Sequence, residues 1–110
     1  MFQESKTFSH IEGSYIALCE LSIYQSHKLE GVWYYFNRLS VPPKLRKKGI
    51  AKKLLGEMCE WADDKEINIW LDINPYGDLD LRQLISLYSK FGFKQTLQQG
   101  TMIRRYNEIL

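Results

Sequence analysis

Apolar and polar positions alternate along SYIALCELSIYQ, residues 14–25, where Tyr15, Ala17, Cys19, Leu21 and Ile23 share one side of a two-residue period and predict a strand. SHKLEG then supplies a turn. VWYYFNRLSV, residues 32–41, is so rich in aromatic and β-branched side chains that a second strand is expected, paired with the first as a hairpin. Over residues 50–65 the period changes. Ile50, Ala51, Leu54, Leu55, Met58, Cys59, Trp61 and Ala62 recur at helical spacing, while Lys52, Lys53, Glu57, Glu60, Asp63 and Asp64 fill the other face. INIWLDI, residues 67–73, is apolar at nearly every position, as expected of a strand buried on both faces. Strand, helix and strand with short connections imply a parallel crossover.

NPYGDLD breaks the pattern with Pro75 and Gly77 and offers Asp78 or Asp80 as a helix N-cap. LRQLISLYSKF then sets Leu81, Leu84, Ile85, Tyr88 and Phe91 along one helical face, and Gly92 stands where a helix end favours a left-handed residue. FKQTLQ, a turn at Gln99 and Gly100, and TMIRRY predict a closing hairpin. The pattern is that of one α/β domain over residues 1–110, with a mixed sheet and flanking helices.

Composition narrows the function classes. A chain of 110 residues is one domain on length, and 45% hydrophobic residues are enough for a core. Thirteen acidic residues nearly balance 15 Lys and Arg, and a net charge of +2 argues against a dedicated nucleic-acid binder. No apolar run approaches the roughly 18 residues of a membrane span. The opening MFQESKTFSH is too polar for a signal peptide, so a cytoplasmic location is expected. Cys19 and Cys59 show no metal spacing and read as two buried reduced thiols, with no metal expected.

SVPPKLRKKGIAKKLL, residues 40–55, carries the candidate chemistry. Its two prolines keep the chain extended after the second strand. Gly49 lets the backbone approach a ligand closely, and the free N–H groups around Lys47, Lys48, Ile50, Ala51 and Lys52 face outward at the positive end of the helix dipole. Such a site binds phosphate without a side chain. Arg46, Lys47, Lys48, Lys52 and Lys53 add attraction for a polyanion. Taken alone, the stretch reads first as a solvated basic helix start and only secondarily as a phosphate cradle or a nucleic-acid patch.

The same stretch resembles the signature of the GNAT superfamily of N-acetyltransferases. In that signature a strand ending in Val is followed by Pro, then Arg or Gln, two residues, Gly, one residue, and Gly or Ala; here these are Val41, Pro43, Arg46, Gly49 and Ala51. LYSKFGF, residues 87–93, is similar to the family's second landmark, a Leu-Tyr pair closing a helix just before a Gly-Phe. The resemblance implies acetyl-coenzyme A in a wedge between two splayed parallel strands, the ends of FNRLSV and IWLDIN. Its pyrophosphate would rest on the loop of Arg46, Lys47, Lys48, Gly49, Ile50, Ala51 and Lys52, and its pantetheine arm would pair with the strand near Leu39 and Val41. Tyr88 occupies the family's acid position, and a backbone N–H near Leu39 would polarise the acetyl carbonyl.

The acceptor implied is a primary amine of a small molecule or a protein, and an ammonium must lose a proton before it can attack. Residues 32–41 hold no carboxylate, although many relatives carry one there. Glu20, Asp72 and Asp78 are the candidates for a base, each with a plain surface role as its rival. His10 and His27 read as surface histidines. The position seven residues before Tyr88, where the family commonly has Asn, is Leu81. Only about 13 residues precede the first clear strand, so the family's opening strand and two helices are expected to be absent or reduced, as in small phage and prophage acetyltransferase-like proteins. The acceptor side is then open, completed by a second subunit in a homodimer, or unused. The rival class is a GNAT-like module that works by binding the cofactor or a protein partner.

Overall fold

The structure, a computed structural model, describes residues 2–25, 28–74 and 79–108. Its elements run β1 Ser5–Glu12, β2 Tyr15–Tyr24, β3 Val32–Ser40, a single 3-10 turn Pro43–Leu45, α1 Ile50–Asp64, β4 Ile67–Asp72, α2 Leu81–Ser89, β5 Lys94–Gln95, β6 Thr101–Arg104 and a last 3-10 turn Tyr106–Glu108. One six-stranded sheet holds them in the order β1-β2-β3-β4-β6-β5. β3 and β4 are parallel across α1, and the other pairs are antiparallel. The expected hairpin, crossover and mixed sheet are all present.

A strand that no apolar period announced opens the fold. β1 pairs with β2 along its full length, from Ser5↔Ser22 to Glu12↔Tyr15, and a two-residue turn at Gly13 and Ser14 stands between them. Only that turn, and no helix, stands between β1 and β2. β1 escaped the periodic signal because its inward positions are Lys6, Phe8 and His10, and only Phe8 is apolar. Lys6 reaches the core face with its alkyl stem, its ammonium 5.2 Å from the Phe8 ring and 6.0 Å from that of Trp61.

Both helices cover one face of the sheet. Phe8 and Tyr34 meet Trp61 of α1 edge to face, with ring centroids at 5.8 and 5.0 Å. On the same face the Cys19 thiol donates to the Met58 sulfur at 3.6 Å. Burial pushes the Cys19 thiol up to about 12 and the Cys59 thiol up to about 11, which keeps both protonated and inert at neutral pH. Arg104 of β6, 2% exposed, closes this layer. Its guanidinium forks onto Asp63 of α1 at 2.9 and 3.0 Å and donates to the Phe91 carbonyl at 2.7 Å, joining strand, helix and the turn after α2.

The opposite face has no α-helix over it among the described residues. Alternation sends Tyr24, Trp33, Tyr35, Trp70, Asp72 and Ile103 there. Trp33 is covered at one end by the Arg105 guanidinium, 5.1 Å from its ring. Tyr24, by contrast, is 42% exposed.

Candidate functional site

β3 and β4 separate before either ends. Their ladder runs from Val32↔Ile67 to Tyr35↔Trp70 and stops, although β3 continues to Ser40 and β4 to Asp72. Each strand instead follows its outer neighbour: β3 stays with β2 as far as Leu18↔Ser40, and β4 stays with β6 as far as Asp72↔Thr101. A bulge assists, because Glu20↔Arg38 and Leu21↔Phe36 leave Asn37 as an extra residue that bends β3. On the helix side, beside the end of β3 that runs past this ladder, lies a cleft of about 580 Å³.

One wall of this cleft is Leu39, Val41, Arg46, Lys47, Gly49, Ile50, Ala51 and Lys52, eight of the nine residues that sequence reasoning assigned to a cofactor. The ninth, Lys48, does not line it, and its ammonium is 3.1 Å from Glu12 of β1. The facing wall comes from α2, through Gln83, Leu84, Ser86, Leu87 and Lys90. Sequence reasoning passed over these α2 positions. The signal was there, since Gln83, Ser86, Leu87 and Lys90 repeat at three- and four-residue steps beside the apolar face and must share one side of the helix.

The turn into α1 is built to leave donors free. Gly49 is the N-cap with φ 80 and ψ 10, has no side-chain cap, and no acidic residue follows in the first turn. The first helical bond runs from the Lys53 N–H to the Gly49 carbonyl at 3.0 Å, so the amides of Ile50, Ala51 and Lys52 lie ahead of the helical ladder. A Cβ at Gly49 would meet nothing within 4 Å, which leaves an open cradle at the positive helix end. Lys47 also takes a positive φ of 63, and the Arg46 Nε donates to the Val41 carbonyl at 3.0 Å, pinning the loop to the strand it leaves. Anionic oxygens fit this geometry.

Tyr88 is 4% exposed and lies one turn beyond Leu84 on the buried side of α2. Its ring meets Phe36 and Phe93 at 5.8 Å each. Phe36 is the first β3 residue past the ladder, so Tyr88 packs against the apex of the gap from the helix side. Asp72 flanks the same gap from the other face, accepting from the Thr101 hydroxyl at 2.9 Å and the Tyr35 hydroxyl at 3.4 Å. Burial, then the Asp72 charge and this hydrogen bond, raise the Tyr35 phenol above its ordinary value. Glu20 is drawn aside by Arg38 at 3.8 Å. His10 lies between Glu12 and Lys53, at 3.1 Å from each, away from the gap. Asp78 and His27 lie outside the described residues, while Asp80, the other expected cap, does cap α2. Among the described residues no cluster of His, Cys, Asp and Glu could hold a metal, and no helix is long and apolar enough to cross a membrane.

The fold has solved counterparts. The anti-CRISPR protein AcrVA5 superimposes with a TM-score of 0.66 at 19% identity, over 92% of this chain and 98% of its own. The PaiA N-acetyltransferase of Thermoplasma acidophilum, solved in complex with coenzyme A, gives 0.68 at 22% identity, over 94% of this chain and 62% of its own. The ribosomal-protein-S18-alanine N-acetyltransferase of Escherichia coli also gives 0.68, at 13% identity, over 96% and 72%. These likenesses describe the fold. No curated protein matches the sequence. A family model, the acetyltransferase (GNAT) domain, matches residues 5–95 and so takes in the splayed strands, the α1 cradle and Tyr88 together. This chain belongs to the GNAT acetyltransferase family.

Proposed function

We propose that the protein is an acetyl-coenzyme A-dependent N-acetyltransferase acting on a primary amine. The observation that carries this reading is the β3–β4 ladder ending at Tyr35↔Trp70 while both strands run on beside an uncapped helix start. A long, thin ligand with phosphates at one end and a reactive group at the other matches that shape. The amides of Ile50, Ala51 and Lys52 and the open space at Gly49 suit the phosphates, with Lys47 and Lys52 supplying charge. Beyond Tyr35 the β3–β4 ladder gives way to the Leu39 and Val41 wall of the cleft, along which an extended arm can lie. Bound acetyl-coenzyme A supplies an acetyl group activated as a thioester.

Tyr88 is assigned the proton donor for the departing sulfur. A thiol of ordinary pKa near 8.5 leaves more readily when a donor meets it, though it leaves slowly without one. Support comes from the contact between Tyr88 and Phe36 at the apex of the gap. Burial of the ring excludes bulk water there, and a phenol O–H is a proton donor by its chemistry.

The test combines calorimetry with acetyl-coenzyme A and a thiol-release assay over a panel of primary amines. Binding with turnover is expected. Binding without turnover on any amine would favour the binding-module reading, and absence of binding would overturn the assignment. Tyr88→Phe keeps the packing with Phe36 and Phe93, so it should lower kcat by about 10²-fold or more and leave cofactor affinity within about twofold. Wild-type turnover in a folded Phe variant would remove Tyr88 from the chemistry.

A further inference from the structure

We infer that Asp72, Tyr35, Tyr24 and Trp70 form a subsite on the helix-free face of the sheet that recognises a primary ammonium carried on an alkyl stem. The inference rests on the acetyltransferase reading, because it gives that reaction its class of acceptor. The cleft and the α1 cradle open on the helix side, whereas Asp72 stands two residues past the last β3–β4 pair, on the other face of the sheet. An amine there reaches the apex without crossing the cleft.

The carboxylate is held and left unneutralised. Its two oxygens accept from Thr101 at 2.9 Å and Tyr35 at 3.4 Å, and among the described residues it has no cationic partner. Neutral donors fix its orientation while keeping its charge, which is what an ammonium requires of its counter-ion. A row of aromatic rings leads away from it, beginning at Tyr35. Trp70 packs between Tyr35, with ring centroids 4.4 Å apart, and Tyr24, at 5.2 Å. Asp72 at one end of this row is exposed and Tyr24 at the other is 42% exposed, so the row is open to solvent at both ends. Ring faces attract a cation and give methylene groups an apolar wall. The same charge disfavours an amine whose own carboxylate is adjacent, as in a free amino acid, so the subsite selects as well as binds.

The probe is n-butylammonium, followed by NMR through the indole N–H signals of the three tryptophans, Trp33, Trp61 and Trp70. The Trp70 indole N–H is buried with no acceptor, so its signal reports the ring's surroundings undisturbed by a hydrogen-bond partner. Saturable movement of the Trp70 signal is expected, with n-butanol of the same shape leaving it still. Asp72→Asn should weaken the binding by about tenfold or more. Tyr35→Phe, which keeps the ring and loosens only the carboxylate, should weaken it less.

Equal affinity in wild type and Asp72→Asn, or movement at Trp61 in place of Trp70, would overturn the subsite. Coenzyme A calorimetry on the same proteins separates the two readings. Wild type that binds the cofactor but shows no Trp70 response loses the subsite alone. Wild type that responds to the amine but binds no cofactor loses the acetyltransferase reading alone. In turnover, a peptide lysine with its α-amine blocked against spermidine distinguishes a protein side chain from a free polyamine. Comparable turnover of glycine, whose amine stands beside its own carboxylate, would count against the subsite.

Discussion

Gly49 combines a left-handed backbone, at φ 80, with empty space where a side chain would project. Gly49→Val therefore costs stability through backbone strain alone, about 1–2 kcal/mol, because no neighbour is displaced. Its isopropyl group would fill the cradle ahead of Ile50, Ala51 and Lys52. Calorimetry should then find coenzyme A binding lost in a protein that still unfolds cooperatively; a folded Val variant with wild-type affinity would remove the cradle from the site. This position was legible in the sequence, since a glycine before an amphipathic run announces both the turn and the exposed amides. Asp72 was legible only as one carboxylate among three. What distinguishes it is a diagonal contact to Tyr35 across a parallel pair, and that depends on strand register, which no local pattern carries.

At the scale of elements, the strong periods found their elements. The predicted strands became β2, β3 and β4 within a residue or two, and the two helical runs became α1 and α2. β1 was missed because a strand whose inward side chains are Lys6, Phe8 and His10 has little apolar contrast. The bulge at Asn37 was equally silent, although it steers β3 away from β4. α2 matters because it carries one wall of the cleft and Tyr88 together. Its start is fixed by reciprocal bonds: Gln83 N–H donates to the Asp80 carboxylate at 2.8 Å, and Asp80 N–H donates to the Gln83 side-chain oxygen at 2.9 Å. Asp80→Ala should cost about 1 kcal/mol in denaturant unfolding. It should also weaken coenzyme A binding modestly, since Gln83 faces the cleft. An unchanged unfolding midpoint would show that the cap does not hold this helix.

Over the whole molecule, charge is distributed far less evenly than a net value of +2 suggests. Arg46, Lys47, Lys52 and Lys90 stand around one cleft, while Lys48 is paired with Glu12 and Lys53 with Glu57 at 3.9 Å. Basic residues gathered at one opening of a nearly neutral body attract a multiply charged anion from a distance and orient it on arrival. The field is felt over about 10 Å at 0.1 M salt and shrinks as salt rises. Stopped-flow association of coenzyme A should therefore slow by about tenfold between low salt and 0.5 M, with dissociation changed much less, because contacts inside the cleft are screened less than the approach to it. Lys52→Ala should flatten the salt dependence while keeping the fold, since that side chain lies on the exposed face of α1. An association rate indifferent to salt would mean that the cations serve only as a solvated helix start. Tight, steeply salt-dependent binding of duplex DNA, without coenzyme A affinity, would instead assign the cluster to nucleic acid.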